Sequence, residues 1–199
     1  MNLFQTISNV QPRLPGWCVT EKAFTLASLV LAYRPAVSLE IGVFGGSSFI
    51  PIALAHKEIS HGVAFAIDPW SSHVAVRVQP TNVDREWWAG QDMNAIYAGF
   101  MQQVKNLELD KWVKIIRNES KHVPPPSSIG LLHVDGAHDQ TAITDVLKFA
   151  PKVVSGGFCV MDDISAFGHS TTIACARLEQ IGFKRLYPLG TGAVFQRTG

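Results

Sequence analysis

Three groups of residues carry side chains that could do chemistry together. Glu40 leads into Gly42, Gly45 and Gly46, Asp68 stands before Pro69, and Asp135 and His138 precede the pair Asp162–Asp163. A carboxylate entering a glycine turn suits a ligand with hydrogen-bond donors, an amine or ribose hydroxyls, better than a pyrophosphate. Glycines let such a ligand approach without a Cβ in the way. Asp68 lies 28 residues after Glu40, where an acid meets ribose hydroxyls in nucleotide-type sites. Its plainer reading, the less favoured one, is a helix N-cap or turn former ahead of Pro69. Asp135, Asp162 and Asp163 would repel one another unless something positive neutralises them. Oxygen-only ligands suit a hard cation such as Mg²⁺, although an Asp-Asp pair after a strand can equally be a solvated turn. Histidine as a residue type titrates near neutral pH, so one at position 138 can take a proton from a substrate hydroxyl, whose pKa a nearby metal would lower. Its plainer reading is a local hydrogen bond in the first turn of a helix. His133, inside an apolar strand, reads as a core histidine, and His169 has no motif behind it.

The elements that position these groups alternate. Thr20 is an N-cap candidate for a helix closed by Pro35. Strands are expected at Val37–Ile41, Val63–Asp68, Trp112–Ile116, Ile129–Val134 and Phe158–Met161, and helices at Ser48–His56, Gln91–Leu107, Gln140–Phe149 and Ser170–Ile181. Lys184–Tyr187 and Ala193–Arg197 flank Gly190-Thr191-Gly192 as a closing antiparallel hairpin. This pattern predicts an α/β, doubly wound, mostly parallel sheet of about seven strands. Ligands bind outside the carboxyl ends of such strands. The five ends here deliver Glu40, Asp68, Glu119-Ser120, Asp135 and Asp162-Asp163 to one rim. Two stretches lack pattern: residues 1–19, an arm broken by Pro12, Pro15 and Gly16, and an insertion at 71–90 that holds Trp87 and Trp88. Long irregular insertions are often lids or binding loops. The remainder, 20–199, reads as one domain.

Composition excludes several classes. A formal net charge of +1 argues against a nucleic-acid surface, and 47% hydrophobic with 17% charged residues is globular. No apolar run is long enough to span a bilayer, and no signal-peptide pattern opens the chain. Cys18, Cys159 and Cys175 are widely spaced and read as free thiols, so a cytoplasmic protein is expected. A homo-oligomer stays open.

Glu40-Ile-Gly42-Val-Phe-Gly-Gly46-Ser-Ser48, His133-Val-Asp135-Gly-Ala-His138-Asp139 and Gly156-Gly-Phe-Cys-Val-Met-Asp162-Asp163 resemble successive motifs of class I S-adenosylmethionine-dependent methyltransferases, in the metal-dependent O-methyltransferase branch. The similarity is closest to the small bacterial group with macrolide-sugar O-methyltransferases and cephalosporin-modification proteins. The resemblance implies a Rossmann-like fold with a reversed C-terminal strand. It implies that Glu40 and the turn Gly42, Val43, Phe44, Gly46 contact the methionine moiety, with Ser48 near its carboxylate. It puts Asp68, with Pro69 and Trp70, at the ribose, and Glu119 and Ser120 near the adenine, with Asp135 at the cofactor's edge. It implies Asp135, Asp162 and Asp163 as Mg²⁺ ligands and His138 as general base, acting on a hydroxyl of a small molecule (a sugar, natural product or phenol). Catechol-type members carry asparagine where Asp163 stands, and an aromatic residue where Ala137 stands. Two other readings remain: a binding protein that keeps the cofactor pocket without catalysis, and a nicotinamide-dependent oxidoreductase, against which Phe44 stands at the place of the second glycine of G-x-G-x-x-G.

Overall fold

Short runs of aliphatic residues ending in polar ones pair into one sheet. The computed structural model describes residues 2–79, 81–164 and 169–199, so Met1 of the arm and Pro80 of the insertion lie outside the described residues. The strands are β1 (Val37–Ile41), β2 (Val63–Asp68), β3 (Val113–Arg117), β4 (Ile129–Val134), β5 (Val153–Met161), β6 (Phe183–Leu189) and β7 (Gly192–Arg197). Their order is β3-β2-β1-β4-β5-β7-β6. β1 to β5 are mutually parallel, and β7 enters antiparallel between β5 and β6. Strand direction therefore gathers the carboxyl ends of β1 to β5 on one rim. The order reverses between β1 and β4, where a crevice opens in such sheets.

Side chains alternate across β1 and β4, because successive Cβ atoms point to opposite faces. Leu39, Ile41, Leu132 and Val134 pack under α7 (Gln140–Phe149) and α8 (His169–Gln180). The other face packs against α1 (Leu3–Val10), α2 (Thr20–Tyr33), α3 (Phe49–Ile59) and α6 (Met93–Asn106). On that second face β1 and β4 place polar residues: Ser38, Glu40 and His133, all 0% exposed. His56 of α3 bonds the Ser38 hydroxyl through Nε2 at 2.9 Å. Buried polar groups need such partners.

Three expectations change. The arm is not helix-free: Asn2 and Gln5 form a capping box that starts α1, and Leu3 and Ile7 bury into the core. Proline breaks the chain only after that helix, within the short turn Gln11–Arg13. The insertion likewise holds two helices, α4 (Ser72–Arg77) and α5 (Asn82–Ala89), the latter capped by the Thr81 hydroxyl. Val19, rather than Thr20, precedes α2 as its cap residue. The Thr20 hydroxyl instead donates to Gln11 Oε1 at 3.2 Å, tying helix to arm. Among the described residues no helix is long and apolar enough to cross a membrane. The three cysteines are free and buried.

Candidate active site

Backbone hydrogen bonds lock the strand tips together before any side chain acts. Gly42 N–H donates to the Ile67 carbonyl, Asp135 N–H to that of Ile41, and Asp162 N–H to that of Val134, each at 2.9–3.0 Å. Gly42 has φ +87°, and a Cβ there would lie 2.2 Å from the Asp135 carbonyl oxygen, so only glycine lets β1 and β4 close at this point. Beyond the tips lies a cavity of about 1120 Å³. That exceeds the usual range for one small ligand, roughly 300–1,000 Å³, and leaves room for two reactants side by side.

Asp68 is the stitch of the first half. Its Oδ2 accepts from the amides of Val43 and Phe44, each at 2.9 Å, and its Oδ1 accepts from the Trp70 amide at 2.6 Å. Phe44 and Trp70 both have positive φ, 49° and 41°, a costly region for bulky residues. The Trp70 indole N–H then donates to the Phe44 carbonyl at 2.7 Å. The aspartate thus holds two strained backbone positions, and with Pro69 it still lines the cavity.

Glu40 sits one layer behind. It is fully buried, accepting from the Ser48 hydroxyl at 2.7 Å and meeting His133 Nδ1 at 3.0 Å. Of the residues assigned to the cofactor from sequence, Gly42, Val43, Phe44, Ser48, Asp68, Pro69, Glu119, Ser120 and Asp135 line the cavity. Glu40, Gly46 and Trp70 do not; Trp70 is 1% exposed and stacks on Phe100 with centroids 5.5 Å apart. Glu119 reaches the wall as an ion-pair partner of Arg77 (2.5 Å) and Lys121 (2.8 Å).

Asp145, which the sequence did not flag, also lines the cavity and is 2% exposed. Burial pushes its carboxyl up to about 6, against a hydrogen bond with Ser120 and the charge of Lys148. An acid with a native pKa above its unfolded value, about 3.9, weakens the fold where it must ionise. Relative to Asp145→Asn, the wild type should therefore lose about 1–3 kcal/mol of stability as pH rises from about 4 to about 6. Denaturant unfolding of both proteins across that range measures this, and parallel curves would refute the assignment.

The second half collects the acids of β4 and β5. His138 Nε2 lies 3.0 Å from Asp163 Oδ2, and the Thr191 hydroxyl donates to Asp163 Oδ1 at 2.7 Å. Burial raises Asp163, but these two bonds outweigh it and hold the carboxyl below its ordinary value. The N-cap of α7 is Asp139, which accepts from the Thr141 amide at 2.8 Å. His138 therefore stands in the turn before the helix, 23% exposed and facing the cavity. His169 begins α8, is exposed, and does not line the cavity.

One atom each from His133, Asp135 and Asp162 lies within 4.8 Å of the others, a grouping able to hold an ion. The position is contested. Lys22 of α2, 7% exposed, is ion-paired with Asp162 Oδ2 and lies 4.0 Å from Asp135 Oδ2. Burial disfavours its charge, yet Asp135 and Asp162 raise its pKa above the ordinary lysine value. Asp135 is pushed well above the carboxylate range by burial and then by Asp162. Asp162 is held well below that range: burial works against it, but its bond with Asp135 and the Lys22 charge prevail. The two acids thus lie beside one ammonium with opposite tendencies, Asp135 towards its neutral form and Asp162 towards its ionised one. The expected Mg²⁺ ligands are thus already engaged, Asp162 and Asp135 by Lys22 and Asp163 by His138 and Thr191. The donor set as arranged does not fit a hydrated divalent ion, which demands near-octahedral oxygen ligands.

Lys22 carried a signal in the sequence. A cation in the first turn of a helix opposes the helix dipole, so its placement as the third residue of α2 asks for a compensating anion. Across the cavity mouth, Trp17 stacks on Phe44 (5.4 Å between centroids) and meets Trp87 (5.5 Å) and Trp88 (5.9 Å). Arm, glycine turn and insertion share one aromatic cluster.

Comparison with known proteins follows this geometry. A family described as a methyltransferase domain matches residues 39–164. No curated protein matches. Among solved structures the O-methyltransferase NovP is similar with 16% identity and a TM-score of 0.73, over 90% of this chain and 81% of that one. TomG of Streptomyces achromogenes, an O-methyltransferase solved with S-adenosylmethionine, is similar with 14% identity and a TM-score of 0.64, over 100% of this chain and 91% of its own. PaMTH1 of Podospora anserina, a methyltransferase bound to S-adenosylhomocysteine, aligns with 12% identity and a TM-score of 0.68, over 99% and 87% of the two chains. At these identities the likeness is one of fold.

Proposed function

This chain belongs to the methyltransferase-domain family, and we propose from that premise that it transfers a methyl group from S-adenosylmethionine to a hydroxyl of a small molecule, with His138 as general base. The observation that carries the reading is the His138–Asp163 pair at 3.0 Å on the wall of a cavity large enough for two reactants. When bound, S-adenosylmethionine supplies a methyl group made electrophilic by its sulfonium. Gly42, Val43, Phe44 and Ser48 form the wall for its methionine end. Asp68 keeps one oxygen with capacity to accept a ribose hydroxyl, and Glu119 with Ser120 borders the adenine end.

The chain's own work is alignment and proton removal. Holding two reactants in attack geometry can contribute on the order of 7–11 kcal/mol. His138 takes the acceptor's proton, and Asp163 fixes the ring and steadies the imidazolium that forms, as a carboxylate does for a catalytic histidine. The aromatic mouth of Trp17, Phe44, Trp87 and Trp88 fits an acceptor with a flat apolar body that carries the hydroxyl. The three free, buried cysteines fit a reducing, cytoplasmic setting.

Calorimetric titration should show binding of S-adenosylmethionine and none of nicotinamide dinucleotides. Release of S-adenosylhomocysteine with one of a panel of aromatic and glycosidic alcohols should follow. Binding of a nicotinamide cofactor alone would overturn the reading. Tight S-adenosylmethionine binding with no product across a broad panel would favour a binding protein without catalysis.

A further inference from the structure

We propose that Lys22 is the resident cation of this site, standing between Asp135 and Asp162 where a divalent ion would otherwise neutralise the acids. The inference rests on the methyl-transfer reading only for one consequence, that turnover needs no metal.

Three observations carry it. Lys22 is the only buried lysine or arginine among the described residues, and its ammonium contacts one of the expected metal ligands and lies 4.0 Å from another. A buried cation of this kind is kept only where anions compensate it. Its side chain is 9% exposed, and the helix that carries it is tied to the arm through Thr20 and Gln11 and packs on α1 and α3. Finally, the third acid is already served: Asp163 has His138 and Thr191. Every carboxylate that the sequence offered to a metal therefore has a partner from the chain itself.

One feature stands on the side of an ion. His133 Nε2 is buried without a hydrogen-bond partner among the described residues, 3.9 Å from Asp135 Oδ2. An imidazole nitrogen is, however, a poor ligand for Mg²⁺, which prefers oxygen.

Lys22 thereby has a task in the reaction. It lines the cavity beside the rim that carries His138, so its charge can favour a developing alkoxide on the acceptor. A fixed cation does this without being recruited from solution.

The test is Mn²⁺ binding, read by the paramagnetic signal of the ion, for the wild type, Lys22→Met and Lys22→Met/Asp162→Asn. The wild type should show no saturable site. Lys22→Met should gain one, tighter by at least on the order of 10²-fold because a repelling charge about 4 Å away is gone, and the double variant should lose it again. If Lys22→Met is unfolded alone, recovery of its fold on adding Mn²⁺ counts as the same gain. A wild-type protein that binds one Mn²⁺ ion, lost in Asp162→Asn, would overturn the proposal, as would a Lys22→Met variant, folded or not, that takes up no ion. The titration reads the site whether or not an acceptor is known. Failure to form S-adenosylhomocysteine would sink the methyl-transfer reading and leave the Lys22 result intact. Where turnover is observed, equal rates in chelator and in Mg²⁺ support the metal-free consequence, and collapse in chelator rejects it.

Discussion

His138→Ala should lower turnover by about 10²–10⁴-fold while leaving S-adenosylmethionine affinity within about twofold of wild type. The size follows from what the imidazole alone can do. A hydroxyl is a poor nucleophile until a base accepts its proton, and a positioned base lowers the barrier by about 3–5 kcal/mol. The split between the two readouts follows from location. His138 stands in the turn after β4, while the glycine turn follows β1 and Asp68 ends β2. Asp163→Ala should give a smaller loss, since it orients the base without replacing it. Single-turnover formation of S-adenosylhomocysteine, paired with calorimetry, measures both quantities. An unaltered rate in His138→Ala would remove the residue from the mechanism.

The second large effect lies at Asp68. Asp68→Ala leaves the amides of Val43, Phe44 and Trp70 without their acceptor, beside two residues whose backbones are already strained. Hydrogen bonds to a charged group contribute about 1.5–3 kcal/mol each. With partial rescue by water, the expected loss is about 3–6 kcal/mol, a large share of a stability of about 5–15 kcal/mol. Asp68→Asn discriminates this account from a purely ligand-binding one. Both carboxylate oxygens accept from amides, so an Asn amide group must point its NH₂ at a donor whichever way it is turned. Asparagine should therefore cost nearly as much as alanine in urea unfolding without any ligand. A loss below about 1 kcal/mol in both variants would show that the glycine turn holds its shape without the aspartate.

Much of this architecture was legible because each signal was local. The acids at the ends of β2, β4 and β5 fall on one rim because parallel pairing admits no other arrangement. Gly42 marks the close approach of β1 to β4, which a Cβ forbids. What was harder to read depends on contacts far apart in the chain. Glu40 and Asp68 are both acids at strand ends, yet pleating sends Glu40 inward to Ser48 and His133, while Asp68 turns to the cavity wall. Trp70, one residue past Pro69, goes to the core because its positive φ turns it there. In residues 1–19 the prolines Pro12 and Pro15 follow α1 rather than interrupt it, so they mark where the helix ends and not whether it forms. Lys22 was overlooked because a lone lysine on a helix is ordinarily a solvated one, and only its opposition to the helix dipole marks it out.

The ion pair between Lys22 and Asp162 joins residues 140 positions apart, and the same pocket receives Thr191 from the turn between the last two strands. A nascent polypeptide emerging from the ribosome exposes β1 through β4 well before the residues of this closure are made. Its reactive half must wait until the final hairpin docks, since contacts of such long sequence separation form late. The pocket is therefore closed only in a chain that has reached its last hairpin.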